Sequence, residues 1–181
     1  MNWMKKVAVA LVCLLPLGLQ AAKVDTLQVK SPSMNKSIEV VVVSPDVAAT
    51  KACPVIYLLH GYGGNARTWV GIKPDLSKIA DEKGIFFVCP DGKNTWYWDS
   101  PLNADVRYET FISDELVKYV DSHYKTVADR KGRAITGLSM GGHGAMWNGL
   151  RHSDVFSAAG STSGGVDILS LIHISEPTRP R

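Results

Sequence analysis

Five residues, Gly137-Leu138-Ser139-Met140-Gly141, constrain this chain more than any other stretch. Arg133-Ala134-Ile135-Thr136 before them reads as a short strand, and Gly142 to Leu150 after them reads as a helix rich in small residues. A strand that turns into a helix this abruptly leaves no space for side chains beside the turn. Glycines at 137 and 141 meet that demand, and the serine between them carries the backbone strain. A helix that starts there also aims its free N–H groups at the serine hydroxyl.

The remaining elements fit the same architecture. Thr26 to Val29 and Ser37 to Val43 read as strands, the second strongly β-branched. Val55 to Leu59 is a continuous apolar run, as expected for a strand buried on both faces. Asp75 to Lys83 is predicted to be a helix, with Leu76, Ile79 and Ala80 on one face and Gly84 as its stop. Ile85 to Cys89 is a strand, Tyr108 to Tyr119 a helix, and Phe156 to Gly160 a last strand. Strands alternating with helices predict an α/β fold, a mostly parallel sheet with helices on both faces. Ligands of such sheets bind at the carboxyl ends of the strands. His60-Gly61-Tyr62, Pro90-Asp91-Gly92, Ser139 and Ser161-Thr162-Ser163 all fall at those ends, so one rim is the candidate site.

The first 21 residues stand apart. Lys5 and Lys6 precede an apolar run from Val7 to Leu19, and Leu19-Gln20-Ala21 offers a cleavage site. This is the pattern of a secretory leader, too short for a membrane span, so 1–21 is expected to be a signal peptide and no stable membrane anchor is expected. The expected location is the periplasm or the cell exterior. The formal charge of +3 comes largely from the ends: residues 22 to 168 carry sixteen basic and sixteen acidic side chains. That neutral body argues against a nucleic-acid partner. Cys53 opens one parallel strand and Cys89 closes another, which puts the sulfurs roughly 15–20 Å apart at strand rise. A disulfide needs Cα atoms within about 7 Å, so two buried free thiols are expected, with no metal site and no cofactor.

The rim residues have a coherent chemistry. A serine hydroxyl becomes a nucleophile when a base takes its proton, and the oxyanion formed on a carbonyl needs donors. In its strand-turn-helix context G-x-S-x-G reads as a nucleophile elbow, the alternative being a glycine-rich turn with an incidental serine. Met140 N–H, next to Ser139, is one expected donor. Tyr62 N–H, in the glycine loop His60-Gly61-Tyr62-Gly63-Gly64, is the second; the loop's alternative role is the turn alone.

The motifs together resemble the esterase D family of α/β-hydrolases. They are Tyr57 to Gly64, Trp96-Tyr97-Trp98-Asp99-Ser100-Pro101, Tyr108-Glu109-Thr110-Phe111, Glu115-Leu116, Gly137 to Ala145, Phe156 to Ser161 and Ser163-Gly164-Gly165. The resemblance runs from about Val29 to Ile168. It implies Ser139 as acyl nucleophile, with Tyr62 and Met140 as the oxyanion hole. Trp96, Tyr97 and Trp98 would line the substrate entrance, or serve as core or lid packing. The family's triad acid and histidine follow the elbow after two further strands, and neither is expected in this chain. His143 lies one turn into the elbow helix, His152 follows that helix, His60 is a strut of the glycine loop, and Asp167 comes too early to be the acid. His173 belongs to Leu169 to Arg179, which reads as a translated sequencing adapter. The expected organisation is therefore a leader (1–21), an α/β-hydrolase domain lacking its last strands (22–168) and an adapter-like tail (169–181). The implied activity is hydrolysis of a short-chain or carbohydrate-linked acetyl or feruloyl ester through an acyl-serine. Acyl transfer to a sugar or lipid hydroxyl, and a non-catalytic binding module, are the alternatives.

Overall fold

The computed structural model describes residues 22–165. The leader, Asp167, His173 and the adapter-like tail lie outside the described residues.

Six strands form one mixed sheet: β1 (Lys23–Ser31), β2 (Lys36–Ser44), β3 (Val55–Leu59), β4 (Phe86–Pro90), β5 (Arg133–Leu138) and β6 (Ala158–Thr162). Their order in space is β1-β2-β4-β3-β5-β6. The first two make an antiparallel hairpin and β2 runs antiparallel to β4, while β4, β3, β5 and β6 are parallel to one another. The hairpin turns at Asn35, whose left-handed φ of 48° is one that asparagine tolerates.

Strand alternation sends side chains to two cores. Val40, Val42, Val55, Tyr57, Leu59 and Val88 point to one face. There they meet the helical run of α3 (Tyr108–Thr110), a π turn (Phe111–Glu115) and α4 (Leu116–His123), together with α5 (Met140–Arg151). Val41, Val43, Leu58, Phe87 and Cys89 point to the other face. They pack on α1 (Thr68–Ile72) and α2 (Leu76–Lys83). As predicted, α2 stops at Gly84, in the left-handed region at φ 62°.

Several boundaries differ from expectation. The last strand begins at Ala158 rather than Phe156. Phe156 instead ends the turn after α5, its N–H bonded to His152 O, and its ring is buried edge-on against Tyr57 at 5.6 Å. The helix expected to end at Tyr119 continues to His123 through the π turn, and α1 had no clear apolar period to announce it. Cys53 and Cys89 are both buried and free. The β3–β4 register pairs Val55 with Phe86, which leaves the two thiols at opposite ends of the sheet.

Candidate active site

Ser139 sits between β5 and α5 at φ 54° and ψ −115°, outside the comfortable regions for an L residue. The neighbouring chain explains how it is held. A Cβ on Gly137 would lie 2.3 Å from the Gly141 carbonyl, and one on Gly141 would lie 2.2 Å from Leu59 O. Both positions therefore require glycine. Ser139 N–H donates to Thr162 O at 2.9 Å, and Ser139 O accepts from His143 N–H at 3.0 Å as the first turn of α5 closes. Among the described residues no hydrogen bond engages the Met140 or Tyr62 amide.

The glycine loop lies against the elbow: a Cβ on Gly61 would be 3.3 Å from Leu138 O and 3.5 Å from Ser139 Cβ. His60 holds it from beneath. The imidazole is 1% exposed, its Nε2 accepts Gly92 N–H at 2.9 Å, and its Nδ1 is 2.7 Å from Gly61 O. Accepting at Nε2 fixes the neutral tautomer with the proton on Nδ1, which then donates to the Gly61 carbonyl. Gly64 N–H donates to the same carbonyl at 3.0 Å. A trans peptide points its N–H opposite its C=O, so two donors on Gly61 O turn Tyr62 N–H the other way. The Tyr62 side chain is 67% exposed, so the loop offers main chain rather than a buried ring.

A second loop buttresses this one. Gly63 N–H donates to Asn94 Oδ1 at 2.8 Å. Asn94 belongs to a strained segment in which Lys93, Trp96 and Tyr97 all have positive φ, from 49° to 60°. Thr95 Oγ1 donates to Gly92 O, and Asn148 Nδ2 on α5 donates to Tyr97 O, which hold the segment in that shape. Asp91 anchors its start. Burial raises the Asp91 carboxyl, but the Lys93 amide and ammonium, at 2.9 and 2.6 Å, outweigh burial and hold it well below the usual carboxylate range.

The three aromatic residues expected at the entrance divide. Tyr97 is fully buried, and its hydroxyl donates to His60 O at 3.1 Å, so it is a pillar of the loop and not a lining residue. Gly144 gives it room: a Cβ there would come 2.5 Å from the Tyr97 ring. Trp96 and Trp98 are half-buried and stand edge-on to His143 at 5.3 and 6.3 Å.

No described histidine side chain hydrogen-bonds Ser139. His143 is buried on α5 and bonds Gly165 O at 2.7 Å, and His152 bonds Glu109 at 2.9 Å. Glu109 is a centre that sequence reasoning missed. It also takes Trp147 Nε1 and Arg151 Nε, each at 2.7 Å, and so clamps α3 to α5. The motif around it was visible, but one strand-helix unit separates Glu109 from its partners. Among the described residues no group of three His, Cys, Asp or Glu could hold a metal ion. No helix there is long and apolar enough to cross a membrane.

The chain matches the Esterase family over residues 31–173. It is 31% identical over 144 residues to an esterase of Mycobacterium tuberculosis, covering 76% of this chain and 31% of that protein. It is 32% identical over 158 residues to a diacylglycerol acyltransferase/mycolyltransferase of Mycobacterium leprae, covering 80% of this chain and 44% of that one. Among solved structures, a ferulic acid esterase is similar at 32% identity and a TM-score of 0.65, over 77% of this chain and 61% of that one. The chain thus spans about a third of the length of the first relative and under two thirds of the solved one.

Proposed function

This chain belongs to the Esterase family and has the α/β-hydrolase fold, and from that premise we propose that it is the nucleophile-bearing part of an exported carboxylic-ester hydrolase working through an acyl-serine. The observation that carries the reading is Ser139 itself, held at φ 54° between two obligate glycines beside two uncommitted amides. In the proposed cycle Ser139 Oγ attacks the ester carbonyl carbon as a histidine takes its proton. The tetrahedral oxyanion is met by Met140 N–H and Tyr62 N–H, each donor contributing about 10²–10³ in rate. Collapse expels the alcohol, which recovers the proton from the histidine, and water then repeats the sequence to release the acid. The histidine and its carboxylate partner are assigned to polypeptide beyond the described residues, because His60, His123, His143 and His152 are engaged elsewhere.

The proposed substrates are short-chain or carbohydrate-linked acetyl and feruloyl esters. The ferulic acid esterase similarity and the half-buried Trp96 and Trp98 beside the elbow helix support an aromatic or sugar-borne group. Lys5, Lys6, the apolar run to Leu19 and the site at Ala21 support export. In the complete gene product, Ser139→Ala lowers p-nitrophenyl acetate hydrolysis by at least about a thousandfold while the fold persists. Unchanged turnover would sink the assignment, and a full-length gene that lacks the triad acid and histidine would favour a binding module. The mycolyltransferase similarity favours a second reading, acyl transfer. Product analysis with added alcohol acceptors separates the two: transfer gives a new ester, hydrolysis only free acid.

A further inference from the structure

The start of β1 carries an arrangement that the ester chemistry does not use. Ala22 is 8% exposed and packs with Val41, Val43, Leu76 and Ala80. Its backbone nitrogen lies 2.8 Å from Asp81 Oδ2 on α2. The other carboxylate oxygen, Oδ1, accepts Asp46 N–H at 2.9 Å. Among the described residues no lysine, arginine or histidine forms an ion pair with Asp81. A second carboxylate feels its charge: Asp46 is raised above its ordinary value by its loss of hydration and by Asp81. A partly buried carboxylate facing a backbone nitrogen and a like charge is short of one cation.

The sequence places a cut at that nitrogen. Ala21 puts a small residue directly before the cut that leader peptidases make after an apolar run, and Ala22 is the next residue. We infer that Asp81 is the docking site for the processed N-terminus: removal of the leader after Ala21 leaves the α-ammonium of Ala22 paired with the Asp81 carboxylate. The step is hydrolysis of the Ala21–Ala22 amide by a leader peptidase. Water supplies the hydroxyl that joins the Ala21 carbonyl carbon and the one hydrogen that makes Ala22 an amine; the new acid releases its proton and the amine takes one up, leaving a carboxylate and an ammonium. The neutral N–H of the precursor becomes a charge-assisted donor on the same oxygen. The pair then ties the first strand of the sheet to α2 and, through Asp46, to the turn after β2. Processing therefore completes the fold at this corner. This inference rests on the export part of the proposed function and is independent of the esterase reading.

The test uses the exported gene product. Intact mass and N-terminal sequencing give a chain starting at Ala22. Its α-amine reacts with an amine-selective acylating reagent about tenfold more slowly than in Asp81→Asn, because the paired ammonium is shielded and holds its proton. A second comparison places Gly-Ser before Ala22, which turns the ammonium back into an amide. The extension lowers Tm by about 2–4 °C in the wild-type protein and has no such effect in Asp81→Asn. A mature chain starting elsewhere, or retention of the leader, overturns the processing step. A chain that starts at Ala22 but labels at equal rates in both forms overturns the docking. If Asp81→Asn does not fold, the extension in the wild-type background decides alone: an unchanged Tm overturns the proposal.

Discussion

At the scale of single residues, the site depends on groups that are ordinary in kind and unusual in placement. Ser139, Gly137 and Gly141 were legible because their chemistry is local, a strand-helix turn with no room for Cβ atoms. His60 was legible as a strut for the same reason, since it abuts the loop it supports. Tyr97 was not, because an aromatic residue between two tryptophans gives no sign of which ring turns inward. Glu109 was missed because its three partners lie about forty residues away, two on α5 and His152 just past its end. Its side chain is 10% exposed. Burial raises the Glu109 carboxyl, and hydrogen bonds from Arg151, Trp147 and His152 outweigh it, so the folded value lies below the ordinary 4.5. A depressed carboxyl contributes stability above its unfolded value and loses it as pH falls through the folded one. Glu109→Gln is therefore expected to cost about 2 kcal/mol near neutral pH, from the lost charge-assisted bonds. Urea melts of both proteins across a pH series check this: the gap closes below about pH 4, and a gap constant down to pH 3 would refute the clamp.

At the scale of elements, the parallel strands were the readable part. Val55 to Leu59 and the β-branched run in β2 are long enough apolar signals to survive without context. The elements that escaped are those whose identity is set by tertiary contacts. Phe156 reads as a strand residue by propensity, yet the turn after α5 captures its N–H. The segment from Asp91 to Trp98 reads as a polar-aromatic loop, yet it is a strained brace whose outermost contact is Asn94 on the Gly63 amide. That contact braces the turn next to Tyr62, the proposed oxyanion donor. In the complete gene product, Asn94→Ala is expected to lower kcat about three- to tenfold with KM unchanged, and Asn94→Asp to recover part of it. Steady-state kinetics on p-nitrophenyl acetate read both quantities. A change confined to KM would make Asn94 a binding residue instead.

At the scale of the whole molecule, the sheet is unequally finished. At one end the β1–β2 hairpin caps the parallel strands, with Ser31 Oγ and Ser33 N–H anchored on Glu115. At the other end β6 is the outermost strand among the described residues, four of its five residues exposed and the fifth half-buried, and Leu150 on the neighbouring helix is 71% exposed. An open edge beside exposed apolar surface invites pairing with other chains. The 181-residue polypeptide by itself is expected to aggregate or melt without cooperativity. Light scattering and a calorimetric scan test this, and a soluble monomer with one sharp transition would count against it. The same edge has a bearing on how the proposed nucleophile breathes. Ser139 donates its amide hydrogen to Thr162 on this last strand, not to the interior of the sheet. Its exchange with deuterated solvent will therefore keep the tempo at which β6 peels away, while the amides that join β3 to β5 keep the slower tempo of global opening. The proposed nucleophile is, in this body, clocked by the seam between β5 and β6.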